Sequence, residues 1–129
     1  MRSRRVLIGV PVLLCLVISA ILVARSSSRR DARAQEFEGR AGARALCLAV
    51  TEFHQSRGVW VVAGPTPATI PGPTGVDFPR VREFEQLGFD PGLVHFQYQV
   101  RGEGQARECV ARGDPDGDGE VSEFTAQAR

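Results

Sequence analysis

Residues Val6–Ala24 read VLIGVPVLLCLVISAILVA, a run of 19 residues that contains no charged side chain and has arginines on both sides. At about 1.5 Å of rise per residue, a helix of this length covers roughly 28 Å, close to the ~30 Å hydrocarbon core of a bilayer. Only a structure that satisfies its own backbone hydrogen bonds is stable in hydrocarbon, and Pro11 in the first turns is expected to bend such a helix without ending it. The run therefore predicts a membrane-spanning helix over residues 6–24, which contacts lipid and follows a basic flank at residues 1–5.

A cleaved signal peptide is the alternative interpretation of the same run. Residues 1–5 are basic, and Ala24-Arg25-Ser26 has the small-x-small pattern of a cleavage site. The apolar part of a signal peptide is usually about 7 to 15 residues long, which is shorter than this run and favours an uncleaved signal anchor. Under both interpretations residues 25–129 leave the cytoplasm.

The helical pattern continues beyond the apolar run. Residues 28–57 contain no proline and are rich in residues that favour helices. On a helical wheel the apolar residues fall on two nearly opposite sides, whereas packing on one sheet needs only one such stripe. The second side therefore requires a further packing partner, either a core that wraps around the helix or a neighbouring molecule. One side carries Phe37, Ala41, Ala45 and Leu48; the other carries Ala49 and the three residues that we assign to a partner-facing surface, Leu46, Val50 and Phe53.

The cysteines and arginines bear on the location of residues 25–129. Cys15 lies within the apolar run, and Cys47 and Cys109 remain as an even pair. Disulfides persist outside the cytoplasm and stabilise small cores, so we predict a Cys47–Cys109 disulfide, with two buried free thiols as the alternative. The arginines after the run outnumber those before it, which alone would favour a cytoplasmic domain. Because of the predicted disulfide, we expect a single-pass inner-membrane protein whose C-terminal domain is periplasmic or extracellular.

The chain after the long helix predicts short elements. Gly58 is expected to end the helix, Val59–Ala63 to form a strand, and the proline-rich segment Gly64–Gly75 to form a loop. A short helix is expected from an N-cap at Asp77 to Gly88.

The clearest strand signal is a polar and apolar alternation over Val94–Arg101, in which His95, Gln97, Gln99 and Arg101 would face solvent. A turn at Gly102–Gly104 and a returning strand over Ala106–Arg112 follow. The expected fold class is α+β, in which a long N-terminal helix, membrane-spanning in its first half, packs with its second half on a small antiparallel sheet.

The segment Asp114–Thr125 has the spacing of a calcium-binding loop. Its candidate Ca²⁺ ligands are the carboxylates of Asp114, Asp116 and Asp118, the backbone carbonyl of Glu120 and the side chain of Ser122. Thr125 stands where a bidentate glutamate usually closes such a site, and no helix is expected to lead into the loop. The alternative is a tight Asp/Gly turn whose side chains bond their own backbone. A bound Ca²⁺ is expected to have a dissociation constant of roughly 0.1 to 1 mM.

Charge and motif content weigh against two classes of function. The net charge is +1, and no basic patch is interleaved with aromatic residues, so nucleic acid is not an expected partner. His54 and His95 are the only histidines, and neither they nor any serine or cysteine lies in a nucleophile motif. We therefore expect a protein that is not an enzyme.

The order of short motifs resembles type IV pilins and pseudopilins. These motifs are SRGVW after the long helix, FEQLGFDP from Phe84, FQYQV from Phe96 and GDPDGDGEVSEF from Gly113. The resemblance implies a ladle-shaped, non-enzymatic envelope subunit whose partners are other pilin-like subunits or secretion and pilus machinery. The family's Gly-Phe-Thr-Leu-Ile-Glu start is absent, since the chain begins around RVLIGVP and its first glutamate is Glu36. We therefore expect a divergent N-terminus without the prepilin-peptidase motif.

Overall fold

The computed structural model describes the backbone of residues 3–129 and the side chains of residues 11–25, 29–31 and 33–129. Within these residues the chain has one long helix, α1, one short helix, α2, and six strands, which confirms the predicted α+β class. The elements, in chain order, are α1 Ser3–Arg57, β1 Ala63–Thr66, β2 Val76–Asp77, α2 Arg82–Leu87, β3 Leu93–Val94, β4 Phe96–Arg101, β5 Arg107–Gly113 and β6 Ser122–Ala128.

The chain forms two compact units, an N-terminal unit Met1–Arg33 and a C-terminal unit Ala34–Arg129. In the N-terminal unit, α1 contains Pro11 without interruption, and its backbone is helical through Ser26–Ser28. The side chains of residues 11–25 are exposed. One helix is thus long and apolar enough to cross a membrane.

The main sheet of the C-terminal unit is antiparallel, with the strand order β1-β4-β5-β6. Cys109 on the inner strand β5 pairs with Val100 on β4 and with Ala126 on β6. A second sheet consists of β2 and β3, which pair antiparallel. The predicted alternation holds for the buried positions Val94, Phe96, Tyr98 and Val100, each at most 1% exposed.

The core lies between α1 and the main sheet, and it corrects the predicted partner-facing surface. Leu46 and Val50 are 0% and 1% exposed, and Phe53 is half-buried against the same core. Leu48, on the side that was expected to pack on the sheet, is 65% exposed. The prediction that Leu46, Val50 and Phe53 contact a partner is therefore wrong, because these side chains fill the chain's own core.

The rotation of α1 about its axis follows from two small residues and one covalent link. Gly39 and Gly42 lie on the side of α1 that carries Leu46, and a β-carbon at Gly42 would come within 2.7 Å of the Tyr98 ring. On the same side, Cys47 forms the predicted disulfide with Cys109, with a Cα–Cα distance of 5.7 Å. Glycines let the helix backbone approach the sheet, and the disulfide links the two elements there.

We expect Gly42→Ala to lower the free energy of unfolding, although alanine is the better helix former. The helical preference of alanine alone would stabilise the chain by about 1 kcal/mol, whereas overpacking against the buried Tyr98 costs about 1–3 kcal/mol. A net loss of up to about 2 kcal/mol should appear in urea unfolding of the full chain in a non-ionic detergent, followed by the fluorescence of Trp60. A more stable variant would contradict the close approach of α1 to the sheet.

Several predicted boundaries differ from the structure. The first strand is Ala63–Thr66 and not Val59–Ala63. The short helix begins after Val81, because Asp77 is paired with Leu93 in an extended ladder and is not free to cap a helix. The helix does end at Gly88, whose φ of 68° is left-handed. The strand β6 was not predicted.

Candidate functional site

An exposed apolar face remains on α1 after the core is packed. Phe37 and Leu48 are 73% and 65% exposed, and Ala41 and Ala45 lie between them on the same side of the helix. Because these residues recur at intervals of three to four, they form one stripe along the helix. We call this stripe, residues Phe37, Ala41, Ala45 and Leu48, the outer face of α1.

The outer face borders a groove of about 580 Å³. The other wall is the segment after α2, which includes Phe89 and Leu93. This segment is held in place because the Phe89 N–H donates to the Phe84 carbonyl, at 3.0 Å, and the Phe89 ring packs on Tyr98 with centroids 5.2 Å apart. Leu93 is 57% exposed, so the groove offers apolar surface on both walls. Its shape and apolarity suit a side chain or helix of another protein.

An aspartate cluster occupies the turn between β5 and β6. Carboxylate oxygens of Asp114, Asp116 and Asp118 lie within 4.8 Å of one another, a spacing at which one metal ion could contact all three. The turn is shaped by its own carboxylates, since Gly119 N–H donates to Asp114 Oδ2 at 2.9 Å and Glu120 N–H donates to Asp118 Oδ1 at 2.8 Å. Asp114 Oδ1 is buried without a hydrogen-bond partner, and an oxygen of this kind suits a hard cation.

The carboxylates of the turn differ in acidity. Desolvation raises the pKa of Asp114, but the Gly119 N–H and the neighbouring aspartates outweigh it, so the pKa lies below its ordinary value. Desolvation and a hydrogen bond with Asp118 raise the pKa of Asp116 above its ordinary value. Closely spaced carboxylates disfavour a second negative charge, and a cation between them would relieve this repulsion.

The structure brings together only part of the predicted calcium loop. The twelve-residue loop expected over Asp114–Thr125 is cut short because β6 begins at Ser122, which pairs with Gly113 in the sheet. Ser122 and Thr125 are therefore strand residues and not loop positions. Glu123 in the same strand forms ion pairs with Arg112 and Arg101, at 2.6 and 3.6 Å. The carbonyl of Glu120 as a ligand stays a prediction.

A pair of polar residues that the sequence did not indicate joins α1 to the sheet. His95 Nδ1 lies 2.7 Å from Glu38 Oε2, and the His95 backbone N–H donates to Glu38 Oε1 at 3.2 Å. His95 was expected to face solvent, but its side chain is 19% exposed because β3 ends at Val94 and the ring turns toward α1. Burial, and to a smaller extent the negative charge of Glu38, raises the pKa of the Tyr98 hydroxyl above its ordinary value. The pair has the geometry of a structural link between α1 and the strands.

Comparisons with known proteins identify no relative of this chain. No protein-family model matches it, and neither the characterised proteins nor the solved structures give a significant match. Inferences about function therefore depend on the residues and geometry described above.

Proposed function

We propose that this chain is a non-enzymatic, membrane-anchored, pilin-like protein of the bacterial cell envelope, of the minor pilin or pseudopilin type, which acts by contact with other proteins. The observation that carries this proposal is the exposed outer face of α1. The same helix contains a stretch that is long and apolar enough to cross a membrane. In the C-terminal unit it keeps Phe37 and Leu48 exposed after its own sheet is packed. Large apolar side chains exposed along one helix face mark contact surfaces for other proteins.

The disulfide supports a location outside the cytoplasm. Cys47 and Cys109 are 6% and 0% exposed and are bonded to each other. Structural disulfides form and persist in the periplasm and outside the cell, whereas the cytosol keeps thiols reduced. We therefore propose that the C-terminal unit lies in the periplasm or outside the cell and that the N-terminal unit lies in the inner membrane.

Two measurements on intact cells test the proposal together. Mass spectrometry of the mature N-terminus should find a chain that begins at Met1 or Arg2, as an uncleaved anchor requires. A photo-crosslinking amino acid at Leu48 should form a discrete adduct in native membranes with a second copy or another single-span envelope protein. The matched control position is Arg80, which is exposed on the same unit but distant in sequence from the outer face. If the chain with the photo-crosslinking amino acid at Leu48 forms no adduct and is recovered only as a monomer, the contact function is refuted.

The aspartate cluster favours a second candidate, a secreted domain that is released by signal cleavage and uses a Ca²⁺-stabilised turn as a binding module. The close approach of the Asp114, Asp116 and Asp118 oxygens supports this function. The same N-terminal measurement separates the two candidates, because a released chain would begin near Ser27.

Calcium is expected to stabilise the chain if the turn binds it. With a dissociation constant of roughly 0.1 to 1 mM, about 5 mM Ca²⁺ should raise the free energy of unfolding by about 1–2 kcal/mol. Asp118→Asn should abolish the gain because it removes one charged ligand. Glu120→Gln is the matched control and should keep the gain, since Glu120 is expected to bind through its backbone carbonyl. Thermal unfolding with and without Ca²⁺ measures both, and a wild-type chain that does not respond would exclude the site.

A further inference from the structure

A stripe of arginines follows the apolar run directly. Arg25, Arg29 and Arg33 recur at intervals of four residues, and Arg30 adjoins Arg29. All four side chains are exposed and, with Leu22, they line a recess of about 360 Å³ on the N-terminal unit. We call Arg25, Arg29, Arg30 and Arg33 the arginine stripe.

The arginine stripe carries a net positive charge, although Glu36, three residues after Arg33, lies on the same side of the helix. Each step of four residues turns a helix by only about 40°, so Arg25, Arg29 and Arg33 share one side of α1. Asp31 is the only acidic residue from 11 to 33, and its position lies on the opposite side of the helix. Among the described side chains none of the four arginines forms an ion pair. Their guanidinium groups are free to bind an anion.

The depth of the arginine stripe matches the headgroup layer of a bilayer. If Val6–Ala24 fills the hydrocarbon core, Arg25 stands at its edge and Arg33 stands about 12 Å farther along the helix. The headgroup region adds roughly 5–8 Å to each leaflet, and charges act over a Debye length of about 8 Å at physiological salt. Long arginine side chains can also extend toward the interface while their apolar stems cover apolar surface. All four arginines can therefore reach lipid phosphates.

We propose that the arginine stripe binds the phosphate groups of anionic phospholipids in the leaflet from which the C-terminal unit emerges. The inference rests on the membrane anchor of the proposed function. Guanidinium groups remain charged and pair with phosphate through two parallel hydrogen bonds. Arginine is therefore better suited than lysine to bind this ligand. Each basic residue near an anionic surface strengthens binding by about fivefold. The stripe thereby selects anionic lipid around the helix and holds the start of the C-terminal unit close to the membrane surface.

Native mass spectrometry of the full chain in a neutral detergent tests lipid selection. With phosphatidylglycerol and phosphatidylcholine at equal concentrations, phosphatidylglycerol adducts should exceed phosphatidylcholine adducts by at least about tenfold. The variant R25Q/R29Q/R33Q should lose most of this preference. The matched control, R44Q/R80Q/R82Q, removes three exposed arginines of the C-terminal unit and should keep it.

Two results would overturn the inference: equal adducts for the wild-type chain, or an unchanged preference in R25Q/R29Q/R33Q. Flotation with pure phosphatidylcholine vesicles separates this failure from failure of the anchor. The apolar run should insert without anionic lipid, so the wild-type chain and both variants should float equally. A wild-type chain that does not float refutes the anchor, whereas one that floats but has no preference for phosphatidylglycerol refutes only the stripe.

Discussion

Leu46→Ala is expected to lower the free energy of unfolding by about 2–5 kcal/mol, whereas Leu48→Ala should change it by less than about 0.5 kcal/mol. Leu46 is 0% exposed in the core, so its truncation removes buried apolar contacts and leaves a cavity between α1 and the sheet. Leu48 is 65% exposed and loses much less buried area than Leu46. The two changes are chemically identical and both lie within α1, so their helix propensities cancel in the comparison.

Urea unfolding of the full chain in a non-ionic detergent measures this difference, with the fluorescence of Trp60 as the probe. Trp60 is the only tryptophan and packs against the core, which makes it sensitive to loss of tertiary structure. If Leu48→Ala proved the more damaging change, α1 would present its other side to the sheet. The partner-facing surface inferred from sequence would then be restored, and the cross-linking position at Leu48 would be the wrong one.

The existence of the long helix could be predicted from the sequence, but its rotation could not. Two apolar sides of similar strength occur on α1, and periodicity alone does not say which one faces the sheet. Other residues indicate which side of α1 faces the sheet. Gly39 and Gly42 mark the side where the helix backbone approaches the aromatic rings of Phe96 and Tyr98. Cys47 follows Leu46 directly, and its bond to Cys109 holds this part of α1 against β5.

The buried positions of the alternating strand and the disulfide were predicted correctly from the sequence. Val94, Phe96, Tyr98 and Val100 are buried as expected, but the opposite face is not fully exposed, since Gln97 is buried and the other three residues are half-buried. Gln97 is 7% exposed because its amide donates to the Pro67 carbonyl at 2.9 Å, and His95 binds Glu38. Both depend on contacts distant in sequence, from a proline-rich loop and from α1, which no local pattern contains.

The last strand could not be recognised because its apolar positions are weak. In Ser122–Ala128 the inward positions after the start are Phe124, Ala126 and Ala128, and two of these are alanines. Alanine carries little apolar area and favours helices over strands. The Asp/Gly spacing before this strand matched a calcium loop, so Ser122 was assigned to the loop and not to a strand. The aspartates themselves are brought together in the turn, whereas a bound Ca²⁺ stays a prediction.

Removing the disulfide by replacing Cys47 and Cys109 with alanine is expected to lower the free energy of unfolding by roughly 2–4 kcal/mol. The bridge joins residues 62 positions apart, so its loss lets the unfolded chain explore many more conformations. Both sulfurs are buried, and the replacement also removes packed atoms between α1 and β5. Urea unfolding with Trp60 as the probe measures the loss, and Cys15→Ala, which alters the one free cysteine among the described residues, should leave stability unchanged.

Reduction with dithiothreitol and alkylation in cells test whether the C-terminal unit lies outside the cytoplasm. Reduction should destabilise the wild-type chain by a similar amount but have no effect on the double-alanine variant, because the variant has no bond to reduce. In cells whose thiols are alkylated before lysis, Cys47 and Cys109 should escape modification, since a domain outside the cytoplasm keeps them oxidised. Alkylation of both would mean that the arginines after the apolar run hold the C-terminal unit in the cytoplasm, as the positive-inside rule alone favours. The redox state of this one pair therefore decides between the two opposing signals for orientation in the chain.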